Sequence, residues 1–154
     1  MTRILMVCLG NICRSPLAHG ILQSKLPTDL FYVDSAGTAN YHVGSLPDHR
    51  SIAVARSNGI DISMQRGRQF TIHDFDEFDL IYVMDDSNYS NVIRLARSND
   101  DISKVKLLLE EDTKNDDLRV PDPYYGNFSD FEIVFDLIDS ACQAIAKKLI
   151  SGHR

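Results

Sequence analysis

Ile4, Leu5, Met6 and Val7 form an unbroken apolar run. A run so short is a poor helix and suits a strand covered on both faces, so the pattern predicts a strand over Arg3 to Val7. Beyond it, Leu17, Ala18, Ile21 and Leu22 recur at helical spacing behind Pro16, which is tolerated at a helix start, and the periodicity stops near Pro27. Phe31 to Asp34 predicts a second, short strand, and Asp48 to Asn58 a helix stopped by Gly59. Leu80 to Met84 is again continuously apolar, followed by a helical pattern over Asn88 to Arg97 and a strand over Val105 to Leu109. Phe131, Val134, Phe135, Ile138, Cys142, Ile145 and Leu149 share one face of a long last helix. Strands alternating with helices predict an α/β protein, a parallel sheet with helices on both faces.

Composition narrows this picture. A chain of 154 residues suits one domain, 1–154, which buries about two thirds of the surface its unfolded form exposes. Acidic residues number 22 against 16 basic, a net charge of −6 without a basic tract, which argues against nucleic acid or an anionic membrane as partner. No apolar run reaches the roughly 20 residues of a membrane span, and the first residues lead into a strand instead of a secretion signal. Three cysteines make no disulfide framework, so a reducing, cytoplasmic setting is expected. Cys142, on the apolar face of the last helix, reads as a small buried hydrophobe. The five histidines do not cluster at metal-ligand spacing, and neither metal nor cofactor is expected.

The chemistry concentrates in the turn after the first strand: Cys8, Leu9, Gly10, Asn11, Ile12, Cys13, Arg14 and Ser15, then Pro16. A strand-to-helix turn is where open α/β sheets keep ligands. Wrapping it aims successive N–H groups at one point, and the helix that begins near Ser15 adds its positive end. Those donors and Arg14 favour the thiolate of Cys8, the nucleophilic form of the group. The same donors grip a tetrahedral oxyanion, two of whose oxygens fit the guanidinium fork. Asn11 and Ser15 alone read equally well as turn and cap residues. Cys13 lies five residues from Cys8 on this loop, so the two sulfurs could trap an oxidised Cys8 as a disulfide. Far along the chain, Asp122 stands between Pro121 and Pro123, which hold it out of helix on a stiff loop.

The run Cys8 to Pro16 resembles the phosphate-binding signature of the low-molecular-weight protein tyrosine phosphatases, and further matches lie at Asp34 to Thr38, Met84 to Asn88 and Asp122 to Tyr125. The resemblance implies a three-layer flavodoxin-like fold with a small four-stranded parallel sheet. It also implies hydrolysis of protein phosphotyrosine, and of aryl phosphates, through a phosphocysteine intermediate. Cys8 would attack, Arg14 would hold the phosphoryl oxygens, and Asp122 would protonate the leaving phenol. Leu9, Gly10, Asn11, Ile12, Cys13 and Ser15 would form the phosphate loop, with Ser15 bonded to the sulfur and Asn11 fixing the loop through Ser35 and Asp85. Tyr124 and Tyr125 would form an aromatic wall facing Tyr41. The implied partner is a phosphotyrosine protein, the product phosphate, and the working unit a monomer. A histidine common in the supporting network aligns with Gln65, which cannot titrate, so that network must be wired differently. His19, where the family more often has a glutamate or other polar residue, is assigned no function, and Asp74, Phe75 and Asp79 read as structural.

Two other activities share the fold. An arsenate reductase needs downstream cysteines, and residues 65 to 90 contain none. A phosphoarginine phosphatase is favoured by a threonine in the loop, where this chain has Ile12. A noncatalytic phosphate-binding module would have no use for Asp122.

Overall fold

Every other strand is laid out from β1 (Thr2–Cys8), which pairs in parallel with β2 (Phe31–Gly37) along its whole length on one edge and with β3 (Leu80–Val83) on the other. β4 (Val105–Leu107) pairs with β3, giving a four-stranded parallel sheet of order β2-β1-β3-β4. The computed structural model describes residues 1–152.

Side chains alternate across a strand, and in β1 both sets are covered. Ile4, Met6 and Cys8 enter one core with Leu17, Ile21, Phe131 and Ile138, whereas Leu5 and Val7 enter another with Phe70, Phe75, Ile81 and Val92. This is why β1 reads as continuously apolar. Each such buried side chain stabilises the fold by about 1.5–3 kcal/mol, so the carboxyl end of β1 is a rigid base for the turn that follows.

On the first face lie α1 (Arg14–Lys25), α2 (His49–Ser57) and α6 (Phe128–Gly152), which buries Phe131, Val134, Phe135, Ile138, Ala141, Cys142, Ile145 and Ala146 at helical spacing. The second face carries α3 (Asp74–Glu77) and α4 (Asp86–Ile93), which contribute Phe75 and Val92 to its core. Among the described residues no helix is long and apolar enough to cross a membrane.

The sequence boundaries move where pairing and capping, not periodicity, set them. β2 runs on through Ser35, Ala36 and Gly37, small residues that pair with Met6, Val7 and Cys8. The strand expected over Val105 to Leu109 ends at Leu107, and Leu108–Glu111 turn into a 3-10 helix whose Glu110 side chain accepts from the Leu107 N–H. Asp85 caps α4 by accepting from Asn88 N, so the helix starts earlier than the expected Asn88 and stops at Ile93. α5 (Asn99–Ser103), capped by Ser98, and α3 are one-turn elements too short for periodicity to reveal. α2 agrees closely, with Asp48 as N-cap, Asn58 as C-cap and Gly59 at φ 79° behind it.

From β1 the chain crosses to β2 on one side, while β3 lies on the other. The strand order therefore reverses at β1, and a crevice opens at its carboxyl end, the place where such sheets bind ligands.

Candidate active site

Residues 8 to 15 occupy that crevice, and the way their carbonyls are tied determines where their N–H groups point. Thr38 N donates to Cys8 O and Ala39 N to Leu9 O, both at 2.9 Å. On another side, Asp48 N donates to Ile12 O at 2.8 Å and Ser51 Oγ to Cys13 O at 3.3 Å. In a trans peptide the next N–H lies opposite the carbonyl. Neighbours that hold the carbonyls outward therefore turn the N–H groups of Leu9, Gly10, Cys13 and Arg14 inward. Among the described residues, no acceptor takes the N–H groups from Leu9 to Arg14.

Asn11 is the one non-glycine described at positive φ, 57°, a conformation asparagine tolerates better than most residues. Its side chain fixes that geometry from both ends: Nδ2 donates to Ser15 Oγ at 2.8 Å, and Oδ1 accepts from Arg68 N at 3.0 Å. The expected partners of Asn11 are engaged elsewhere, Ser35 with His19 and Asp85 with Arg14. Gly37 makes room for the loop, because a Cβ there would stand 2.7 Å from Leu9 O and 3.0 Å from Asn11 N.

Cys8 Sγ and Ser15 Oγ are 3.0 Å apart. Since Ser15 Oγ already accepts from Asn11, its own proton is free to point at the sulfur, the nearer of its two remaining partners; Ala36 O lies at 3.4 Å. Arg14 is buried, and its Nη1 donates to Asp85 Oδ2 at 2.7 Å and to Val120 O at 3.0 Å. Burial alone would weaken its charge, but Cys8, Asp85 and Asp122 outweigh that and hold its pKa above the ordinary value. Asp122 Oδ2 lies 3.6 Å from Arg14 Nη2, and Asp122 Oδ1 accepts from Tyr124 N at 3.1 Å.

Around this centre one cleft is lined by Cys8, Leu9, Gly10, Ile12, Cys13 and Arg14 from the loop and by Tyr41, His42, Asp122, Tyr124 and Tyr125 from outside it. Tyr124 and Tyr125 meet edge to face at 4.9 Å. Neither Ser35 nor Asp85 lines the cleft: Asp85 meets the loop through Arg14, and Ser35 meets His19. Cys8 and Cys13 are both free thiols, and burial, then Asp48, Cys8 and Asp122, push the pKa of Cys13 upward.

Three supports lay outside the sequence reading. Arg50 grips Asp48, the cap that holds Ile12 O, and also donates to Tyr124 O at 2.9 Å and Gly126 O at 3.0 Å. The start of α2 thus ties the loop of residues 8 to 15 to the loop of Asp122. Arg68 binds Asp34 and Asp74 while its N–H supports Asn11. His19 Nδ1 lies 3.3 Å from Ser35 Oγ, and Gln65 Nε2 donates to Pro16 O at 3.1 Å, the different wiring that Gln65 required. Burial pushes the His19 pKa down, opposed only in part by Asp34 and the Gln65 amide. The readable signal was Asp48 ahead of a helix with Arg50 two residues on; Arg68 has Asp74 six residues away, but its partners Asn11 and Asp34, and Ser35 for His19, are more distant in sequence.

With the geometry in place, the comparisons converge. The family model for low molecular weight phosphotyrosine protein phosphatase matches residues 3–153. A human protein of that name is 40% identical over 156 residues, covering 94% of this chain and 94% of the relative. One from Dictyostelium discoideum is 37% identical over 169 residues, covering 97% and 94%. Among solved structures, a protein tyrosine phosphatase from Entamoeba histolytica with Hepes in the active site superposes with a TM-score of 0.93 at 34% identity, over 100% of both chains. Vibrio vulnificus Wzb in complex with benzylphosphonate does so with 0.86 at 33%, over 96% of this chain and 98% of that one.

Proposed function

The chain belongs to the low molecular weight phosphotyrosine protein phosphatases, and from that premise we propose how its own residues carry the hydrolysis. Cys8 attacks phosphorus in line as thiolate, forming an S–P bond as the P–O bond to the phenol breaks. The inward N–H groups and the Arg14 fork hold the three other oxygens, whose charge they are placed to stabilise. Asp122, protonated, gives its proton to the departing phenol oxygen. As carboxylate it then takes a proton from water, the water oxygen bonds phosphorus, and the S–P bond breaks to release phosphate and restore the thiolate. The Ser15 hydroxyl at 3.0 Å from Sγ helps the sulfur leave in that second step.

The approach of Asp122 to Arg14, 3.6 Å, in the cleft that also holds Cys8 is the observation that carries this reading. It supplies an acid at a bound oxyanion, which a binding module would not need. Apolar Leu9 and Ile12 and the tyrosines suit a flat ring joined to an oxyanion, the class to which the benzylphosphonate of the Vibrio vulnificus protein belongs. Cys142, buried beside Ala18 O, is badly placed to relay electrons, so arsenate reduction is not favoured. One four-stranded sheet carries the whole cleft, in keeping with a single domain, and three free cysteines fit a cytoplasmic setting.

The test is Asp122→Asn in single-turnover phosphorylation of Cys8. Loss of general acid catalysis costs about 10²- to 10⁴-fold. That loss is expected for a basic phenol leaving group and shrinks for an activated one that departs without a proton. Equal leaving-group dependence in variant and wild type removes the acid role.

A further inference from the structure

Leu9 and Tyr41 line the catalytic cleft and also a second groove of about 440 Å³. Leu9, Phe70 and Leu95 are among its apolar lining, Asn40 and Gln69 among its polar lining, and Asn91 and Arg94 reach it from the end of α4. Leu95 and Tyr41 are exposed, and Thr38 Oγ1 at the groove is buried without a partner among the described residues. Arg3, Arg14, Arg50, Arg68, Arg97 and Arg119 each hold a carboxylate, and Arg56 and Arg66, which show no ion pair among the described residues, lie away from the groove. Arg94 has no ion pair and no side-chain hydrogen bond among the described residues, although the chain carries a net charge of −6.

Resting on the phosphatase reading above, we propose that this groove is the subsite for the peptide flanking the phosphotyrosine, and that Arg94 selects a substrate carboxylate there. A chain whose phosphotyrosine enters the cleft passes the shared rim of Leu9 and Tyr41, and the groove continues from that rim. An Asp or Glu close in sequence to the phosphotyrosine meets the unneutralised guanidinium, with Asn91 as a second polar contact. The aliphatic part of its neighbours lies on Leu95 and Phe70.

Pairs of phosphotyrosine peptides that differ only in Glu or Lys, at successive positions either side of the phosphotyrosine, test this. In wild type the kcat/KM ratio of Glu to Lys peptide is expected to reach about 2- to 5-fold at the position that meets Arg94, the worth of an exposed ion pair. It shrinks in high salt, falls toward one in Arg94→Ala, drops below one in Arg94→Glu, and is lowered by Asn91→Asp. Because the ratio is taken within each enzyme form, any loss of folded protein cancels. The same ratio at every position in wild type and Arg94→Glu overturns the subsite and leaves the phosphatase reading standing. If wild type turns over no phosphotyrosine peptide at all, the earlier reading falls, and this one with it.

Discussion

His19 shows what a single buried side chain adds to this site. It stands one helical turn after Ser15, faces Ser35, and has a pKa pushed below 6.5 by burial. Below about pH 6.5 the unfolded chain takes up a proton that folded His19 resists. Stability present above that pH is therefore lost as pH falls from 6.5 toward the folded value. Melting of wild type is expected to drop more between pH 7.5 and 5.5 than melting of His19→Gln; equal drops would assign the acid sensitivity elsewhere. At this scale the sequence was legible wherever chemistry and spacing coincide, as in Cys8, Arg14 and Asp122. It was silent on His19, because a histidine's role depends on which distant side chain it faces.

Among the elements, β2 matters for its end more than its length. Gly37 closes the strand where Leu9 O and Asn11 N pass, and both obstacles to a Cβ are backbone. Gly37→Ala is expected to destabilise the fold by about 1–3 kcal/mol through overpacking. Displacing the loop should lower kcat/KM by about 10- to 100-fold, since small misplacements at a reacting centre cost that much. Melting and turnover measured together check this, and a variant stable and active as wild type would show that the loop can yield. Strand and helix identities came through in the apolar pattern because both sheet faces are buried. The extra residues of β2, by contrast, are polar or small and owe their conformation to pairing with β1. α5 is fixed by its Ser98 cap, and both α3 and α5 by ion pairs, Arg97 with Asp76 and Asp101, which leave no periodic trace.

In the whole molecule, loop, Arg14 and the Asp122 segment join parts of the chain that meet only in the folded state, so oxyanion binding and folding are linked. Phosphate at 100 times its Kd is expected to add about 2.7 kcal/mol of stability, or roughly 5–10 °C in Tm for a domain of this size. Arg14→Lys keeps the charge but loses the fork, and should show a clearly smaller shift; an undiminished shift would place the anion elsewhere. That the sheet is parallel followed from the alternation of elements, but neither its order β2-β1-β3-β4 nor the tie from α2 to the Asp122 loop did, since no local pattern encodes which strands pair or a contact between Arg50 and Tyr124 O. The hydrogen bond from Arg14 to Val120 O spans 106 residues. At a synthesis rate of about 5–20 residues per second, roughly 5–20 s separate the making of the thiol loop from the arrival of the segment that walls it in. During that interval the growing chain carries Cys8 as an ordinary thiol, because the neighbours that tie its loop and hold Arg14 are not all made, so the nucleophile and its cover come into being together.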